Sequence, residues 1–268
     1  MEEMLRADVA LYQGGLAASR TAAQRAIDEG RAFANGKRIE RASEKLPADA
    51  QLSIEAAQEE YVSRGAYKLL GALQAFGVSP EGLVCADIGA STGGFTQVLL
   101  RRGAKRVYAI DVGENQLARE LLADERVVSM EHCNARELHA SSLPEAVDLI
   151  VYDVSFISAT LLYDAMLAIG AENARVVGLI KPQFEAGRQA VGKKGIVKRA
   201  EDHERAVLRC RDAAFARGLR MTGLVPSPIR GGDGNREYLC LLEKTGGLVS
   251  EAAVRECVKS AQRSGEGD

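Results

Sequence analysis

The chain has no tryptophan, six prolines and five cysteines in 268 residues, and aromatic residues make up only 5% of it. Each shortage excludes something. Cys85, Cys133, Cys210, Cys240 and Cys257 are odd in number, scattered and never paired as Cys-x-x-Cys. They indicate neither a disulfide framework nor a zinc site, and read as small apolar residues of a reducing compartment. His132, His139 and His203 share no metal-ligand spacing and are expected at the surface or in loops. No metal is expected. No apolar run approaches the roughly 20 residues of a membrane helix, and Met1-Glu2-Glu3-Met4 lacks the basic and apolar regions of a signal peptide. A cytoplasmic protein without a membrane partner is the expectation. A surplus of one charge is also missing, since the formal net charge is −2, which argues for no nucleic-acid partner in bulk. What is present is 46% hydrophobic residues and mixed charge, over a length that suits one ordinary domain and a small second one.

The most informative stretch is Asp87-Ile88-Gly89-Ala90-Ser91-Thr92-Gly93-Gly94-Phe95. It follows the apolar run Leu83-Val84-Cys85-Ala86, short enough for a parallel strand, and leads into Phe95-Thr96-Gln97-Val98-Leu99-Leu100, apolar at helical spacing. A strand, a loop of little side-chain bulk and a helix form a nucleotide-type site. A phosphate-cradling loop would need lysine where Phe95 stands, so triphosphate chemistry is disfavoured. A dinucleotide fingerprint would need glycine at Ser91, where a pyrophosphate must approach the backbone, so NAD is disfavoured as well. A nucleoside without pyrophosphate fits, and S-adenosylmethionine is such a ligand. Asp111, ending the next apolar run, would take its ribose hydroxyls.

Residues 1–60 form a smaller module. Leu5, Val9, Ala10 and Leu11 give a short amphipathic helical pattern, and Ser19 can cap a second helix through Ala22, Ala23, Ala26 and Ile27 that Gly30 ends. Residues 31–34 read as a strand, Asn35-Gly36 as a hairpin turn, and 51–54 as a further strand. The module is net acidic, so any RNA contact depends on a face carrying Arg20, Arg25, Arg31, Lys37 and Arg38. Gly15-Leu16-Ala17-Ala18-Ser19-Arg20, Gly30 and Asn35-Gly36-Lys37 resemble the alpha-L RNA-binding motif of a small-subunit ribosomal protein, pseudouridine synthases and tyrosyl-tRNA synthetases.

From residue 84 strands and helices alternate. Strands are expected at 84–88, 106–111, 127–132, 147–152 and 175–180 with helices between them, then 220–226 and 238–243 joined by the loop through Gly231-Gly232-Asp233-Gly234. The fold class is α/β: a class I, Rossmann-like domain with a seven-stranded, mostly parallel sheet after a small α+β domain. The expected division is an RNA-binding domain at 1–60, a linker and first helix at 61–82, the catalytic domain at 83–246, and a C-terminal helix with a frayed tail at 247–268.

Ligands in such sheets bind at the carboxyl ends of the strands. Asp153 and Lys181 each close an apolar strand, Glu237 stands just before the last one, and Lys68 starts the helix leading into the domain. Lys68, Asp153, Lys181 and Glu237 match the Lys-Asp-Lys-Glu set of FtsJ-like ribose 2'-O-methyltransferases. Ser-Arg-Gly-Ala-Tyr-Lys-Leu from Ser63, the glycine loop, Asp153-Val154-Ser155-Phe156-Ile157-Ser158 and Ile180-Lys181-Pro182-Gln183-Phe184-Glu185-Ala186-Gly187-Arg188 together resemble the TlyA family. The likeness covers nearly the whole chain and departs in the linker Glu59-Glu60-Tyr61-Val62, acidic where the family is basic with an aromatic.

The resemblance implies a methyltransferase acting on cytidine ribose of small- or large-subunit rRNA. Members are often also called haemolysins, so a membrane-active protein and an inactive RNA-binding protein are the alternatives. Lys181 is the candidate base, with Asp153 orienting its amine and Glu237 holding Lys68. Gly89, Ala90, Ser91, Gly93, Gly94 and Phe95 would face the methionine end of S-adenosylmethionine, and Asn134 and Ala135 its adenine, with Asp153 near the sulfonium. Lys181, Arg188, Lys193, Lys194, Lys198 and Arg199 stand against Glu185 alone, a cluster able to track phosphates. Arg20, Arg25, Lys37, Arg38, Arg64, Arg188, Lys193 and Lys194 are the RNA-facing candidates.

Overall fold

The computed structural model describes residues 4–28, 30–55 and 61–263, and the chain divides into two compact units, Met1–Glu60 and Tyr61–Asp268. The expectations for residues 1–3, for Glu59-Glu60 of the linker and for the tail 264–268 fall outside the described residues.

In the first unit the order is β1 (Met4–Arg6), α1 (Ala7–Gln13), α2 (Arg20–Asp28), β2 (Ala32–Ala34), β3 (Lys37–Arg38), β4 (Lys45–Pro47) and β5 (Leu52–Ile54). Ser19 Oγ accepts from the Ala22 amide at 3.1 Å, as an N-cap should. Asn35 and Gly36 both take positive φ, 52° and 75°, the primed turn that lets β2 and β3 pair with the natural strand twist. β2 is the middle strand, flanked by β3 and β5. Ala7, Leu11, Ala23, Ile27, Ala32, Ile39 and Leu46 make this unit's core. Leu5 departs from the helical reading: it lies in β1 opposite Leu46 of β4, a pairing continued by the Ala7 amide donating to the Glu44 carbonyl at 2.8 Å. Two non-local strands decide these residues, and periodicity within one segment does not report a partner forty residues away.

The second unit runs α3 (Ala66–Phe76), β6 (Val84–Ile88), α4 (Gly94–Arg101), β7 (Arg106–Ile110), α5 (Arg119–Leu122), β8 (Val127–Met130), β9 (Val147–Tyr152), α6 (Tyr163–Ile169), β10 (Gly170–Ile180), α7 (Pro182–Glu185), α8 (Ala200–Phe215), β11 (Arg220–Pro226), β12 (Tyr238–Glu243) and α9 (Glu251–Arg263). The sheet order is β11-β12-β10-β9-β6-β7-β8, with β12 antiparallel to both neighbours. Both faces are buried, which is why the strands read as unbroken apolar runs. Ile150 and Tyr152 pack into one cluster with α6, α8 and α9, while Leu149 and Val151 pack into the other with α3 and α4. The helix expected between β8 and β9 is absent. A single 3-10 turn, Ala135–Glu137, stands there, preceded by His132 at φ 53° and followed by Ser141, Ser142 and Pro144, residues that interrupt a helix.

This topology gathers the site. β6, β7, β9 and β10 are parallel and end at one edge. Because β12 is antiparallel, its beginning reaches that same edge, with Tyr238 in register with Ile180. Residues just after β9 and β10 and just before β12 therefore meet, although they span residues 153–237.

Candidate active site

Four charged side chains meet at this edge. Lys68 lies in the first turn of α3, Asp153 follows β9, Lys181 follows β10 and Glu237 precedes β12. Lys68 Nζ is 2.6 Å from Glu237 Oε2 and 3.7 Å from Asp153 Oδ2, and Lys181 Nζ is 2.6 Å from Asp153 Oδ1. The result is a chain of alternating charge, Glu237–Lys68–Asp153–Lys181. Lys68, Lys181 and Glu237 are buried and Asp153 nearly so. Burying such groups costs several kcal/mol per ion unless they are paired, so each holds its neighbours in place. Burial raises the Glu237 carboxyl above the ordinary carboxylate range, against the lowering pull of Lys68 and Lys181. Lys181 also donates to Ser155 Oγ at 2.8 Å.

Beside this cluster lies a cavity of about 530 Å³ whose walls include Gly89, Ser91, Asp111, Asn134, Ala135 and Asp153. Gly89 takes φ 83°, and a Cβ there would lie 2.9 Å from the Asp153 carbonyl oxygen, so glycine lets the loop lie directly against the Asp153 segment. Ser91 has φ 48°. Asp111 is fixed by backbone donors: its Oδ2 accepts from the Ser91 amide at 2.8 Å and its Oδ1 from the Gly113 amide at 2.7 Å. Each oxygen keeps a lone pair for a hydroxyl.

Other expected loop contacts fall behind the wall. Ala90 and Phe95 are buried in the core with α3 and α4 and do not line the cavity. Gly93 and Gly94 serve packing, since a Cβ on Gly93 would meet Leu121 at 2.2 Å and one on Gly94 would meet Ser63 Oγ at 2.3 Å. Asn134 lines the cavity, yet its amide is committed locally: Oδ1 accepts from the Arg136 amide at 3.2 Å, and Nδ2 donates to Glu137 at 2.6 Å. Asp87 lies fully buried beneath the loop, accepts from Thr96 Oγ1 at 2.7 Å, and is pushed up to about 7 by burial, against the lowering effect of that hydrogen bond.

Arg64, Arg188, Lys193 and Lys194 are exposed. The basic loop has a fixed neck. Val191 and Val197 bridge across it, Asn235 accepts from the Val197 amide at 3.1 Å and donates to the Gly195 carbonyl at 2.9 Å. His203 is buried on α8, not at the surface, and its Nε2 donates to the Val197 carbonyl at 2.9 Å while Nδ1 accepts from the Tyr238 hydroxyl at 2.9 Å. In the first unit Arg25, Lys37 and Arg38 are exposed, and a Cβ on Gly30 would run into the Arg38 guanidinium at 2.5 Å. Arg20 is partly committed, donating to buried Asp8 at 2.8 Å. Arg31 is half-buried and donates to the Glu55 carbonyl at 2.7 Å.

Sequence patterning assigns no role to Ser155, Phe156 or Glu185. Phe156 lines the cavity, is 89% exposed and has φ 68°. The signal that selected Asp153, a place just past a strand's carboxyl end, applies to Ser155 and Phe156 as well.

Residues 61–244 match the model of the FtsJ-like methyltransferases, and residues 5–52 that of the S4 domain. The YqxC protein of Bacillus subtilis, by name a candidate rRNA methyltransferase, is 43% identical over 97% of this chain and 94% of its own length. The 16S/23S rRNA (cytidine-2'-O)-methyltransferase TlyA of Mycobacterium tuberculosis is 39% identical over 99% of this chain and 100% of its own. A solved structure from Streptococcus thermophilus, named as a hemolysin, has a TM-score of 0.74 at 40% identity, covering 98% of this chain and 97% of that one. Among the described residues no helix is long and apolar enough to cross a membrane. With an S4 domain ahead of a catalytic unit that carries the four-residue cluster, the chain belongs to the TlyA family of FtsJ-like methyltransferases.

Proposed function

We propose that the protein transfers a methyl group from S-adenosylmethionine to the 2'-hydroxyl of a cytidine ribose in ribosomal RNA. The observation that carries this reading is that Asp153 belongs to two structures at once, the cavity wall and the Lys–Asp–Lys–Glu cluster. The cavity volume lies within the range of small-molecule sites. Its donor set suits the cofactor: Asp111 offers carboxylate lone pairs to a diol, Ser91 and Gly89 bring backbone close, and Asp153 supplies negative charge beside a cation. Cytidine and ribosomal RNA come from the names of the relatives, and that substrate makes the protein cytoplasmic.

When bound, S-adenosylmethionine supplies a methyl group on a cationic sulfur. The chain's own task is to make a ribose hydroxyl nucleophilic and to hold it in line. Lys181 accepts the hydroxyl proton. As a neutral amine it has two N–H bonds and one lone pair. Ser155 Oγ at 2.8 Å takes one of the hydrogens and the Asp153 carboxylate pairs with the amine from Oδ1 at 2.6 Å, an arrangement that turns the lone pair toward the substrate. Asp153 and Ser155 therefore set the direction in which the proton leaves. Lys68, clamped by Glu237, holds the other side of Asp153, so one carboxylate is shared between two amines. The S4 unit and the basic loop at 188–199, exposed at Arg188, Lys193 and Lys194, hold the RNA through its phosphates.

Incubating unmodified ribosomal subunits with methyl-tritiated S-adenosylmethionine and mapping the label tests the reading. Label is expected on cytidine ribose. Lys181→Ala should bind S-adenosylmethionine within about twofold of the parent while losing at least about a hundredfold in turnover, the scale of a lost general base. Near-normal turnover of that variant would remove Lys181 from the role.

A further inference from the structure

Glu185 takes no part in the mechanism above, yet it is 2% exposed and engaged on both sides. It closes α7, four residues after Lys181. Its Oε2 accepts the Ser158 hydroxyl at 2.6 Å, and its Oε1 accepts the Ala159 amide at 2.7 Å. Its own carbonyl accepts from Arg209 of α8 at 3.1 Å. One residue thus ties the exit of the loop after β9 to α7 and α8. Charge-assisted hydrogen bonds of this length are among the stronger ones available to a loop.

The gripped loop is the one that matters most for the site. It starts at Asp153, passes Ser155, whose hydroxyl takes a hydrogen of Lys181, and carries Phe156 on the cavity wall. Phe156 occupies the left-handed region at φ 68° with its ring 89% exposed, 5.5 Å from the ring of Phe184. A bulky residue avoids that backbone region, and an exposed phenyl ring gains little from burial. Such a conformation persists only where its surroundings over-determine it. On the entry side the loop is fixed by β9 and by Lys181; on the exit side it is fixed by Glu185.

We infer that Glu185 is a positioning residue, whose carboxylate locks residues 158 and 159 so that Phe156 is held in its left-handed conformation with the ring presented to substrate at the cavity. The geometry stands without the proposed function; the kinetic consequence rests on it.

Because the chain has no tryptophan, Phe156→Trp creates a single reporter at the position concerned. Indole anisotropy and iodide quenching are compared in this background alone and with Glu185→Gln or Glu185→Ala. Glutamine can keep the hold: its oxygen accepts from Ala159, and its amide donates to Ser158 Oγ, whose hydrogen turns to Thr160 Oγ1 at 2.7 Å. Anisotropy should match the parent in the Gln variant and fall in the Ala variant. If Glu185→Ala does not fold, Ser158→Ala removes the Oε2 contact together with the hydroxyl's bonds to Thr160, keeps the Ala159 amide on Oε1, and should give a smaller loss. Parent-like anisotropy in the variant that folds overturns the inference.

In the tryptophan-free protein, Glu185→Ala should lower kcat/KM for rRNA about tenfold, and adding it to Phe156→Ala should cost little more, the coupling expected of residues acting through one another. Costs that simply multiply would also overturn it. Should the parent transfer no methyl group to rRNA, the functional reading fails while the anisotropy still decides on Glu185.

Discussion

Asp87 sits at the junction of core and cofactor loop, and its chemistry gives the clearest residue-scale prediction. It is fully buried, one oxygen accepts from Thr96 Oγ1, and the other finds no hydrogen-bond partner among the described residues. Desolvation therefore outweighs the hydrogen bond and pushes the carboxyl up to about 7, with Asp153 and Asp111 adding to the rise. In the unfolded chain the same group ionises near the ordinary aspartate value of about 3.9. Between these values the folded state holds a proton that the unfolded state has lost. The group's contribution to stability is thus fully present below about pH 4 and is lost as pH rises toward 7, at most about 1.4 kcal/mol per pH unit. Glu237, also raised, acts in the same direction. The melting temperature of the parent minus that of Asp87→Asn should fall between pH 5 and 7, because the variant has nothing to titrate there. A difference that stays flat or rises over this window would show that Asp87 is ionised in the folded protein. The same buried proton sits directly beneath the loop proposed to meet the cofactor, so S-adenosylmethionine affinity in the variant should lose its pH dependence over that interval too.

Among the elements, the loop between α7 and α8 combines exposed charge with a fixed base. Lys193 and Lys194 project from a turn whose neck is pinned by Asn235 and His203, and Asn235 stands two residues before Glu237. A phosphate held there is held relative to the cluster. Changing Lys193 and Lys194 to alanine should weaken rRNA binding, leave S-adenosylmethionine affinity unchanged, and lower the slope of log affinity against log salt by about 1.4 if each lysine meets one single-stranded phosphate. An unchanged salt slope would take the loop out of RNA binding. The charge of this loop was visible in the sequence, whereas its anchoring was not, because Asn235 follows Val197 by 38 residues. The same division holds elsewhere. The strands at 84–88, 147–152 and 238–243 are legible because two-sided burial writes apolar runs, and Asp153, Lys181 and Glu237 are legible because they punctuate those runs. β1 and β4 are three residues each and define each other across the module, so neither carries a pattern of its own. Glu185 reads in sequence as a lone acid within a basic stretch. Only its contact with Ser158, 27 residues earlier, gives it a place in the site.

At the scale of the whole molecule, the two units have separate interiors. The core of the first is formed by residues from Ala7 to Leu46, and the two clusters of the second contain residues from Ala66 onward. A unit of about 60 residues buries a smaller fraction of its surface than one of about 200 and is correspondingly marginal. It leans on polar contacts that a larger core could spare. Asp8 is its hub: a carboxylate with no exposed side-chain surface that accepts from Arg6 at 3.0 Å, Arg20 at 2.8 Å and Gln24 at 2.9 Å. The Arg6 hydrogen bond above all holds its carboxyl well below the usual carboxylate range, so this stabilisation is present above about pH 4 and is lost only in stronger acid, the opposite sense to Asp87. Calorimetry at neutral pH should therefore resolve two transitions, the smaller one at lower temperature. Asp8→Ala leaves donors without their acceptor at a cost of about 2 kcal/mol. For a unit of this size, that should lower the first transition by about 10 °C and leave the second within about 1 °C. If both transitions move together under this substitution, the units fold as one, and rRNA binding by the first could no longer be lost without also losing the methyltransferase fold. If only the first moves, Asp8→Ala becomes the variant that separates RNA capture from cofactor binding within the full chain.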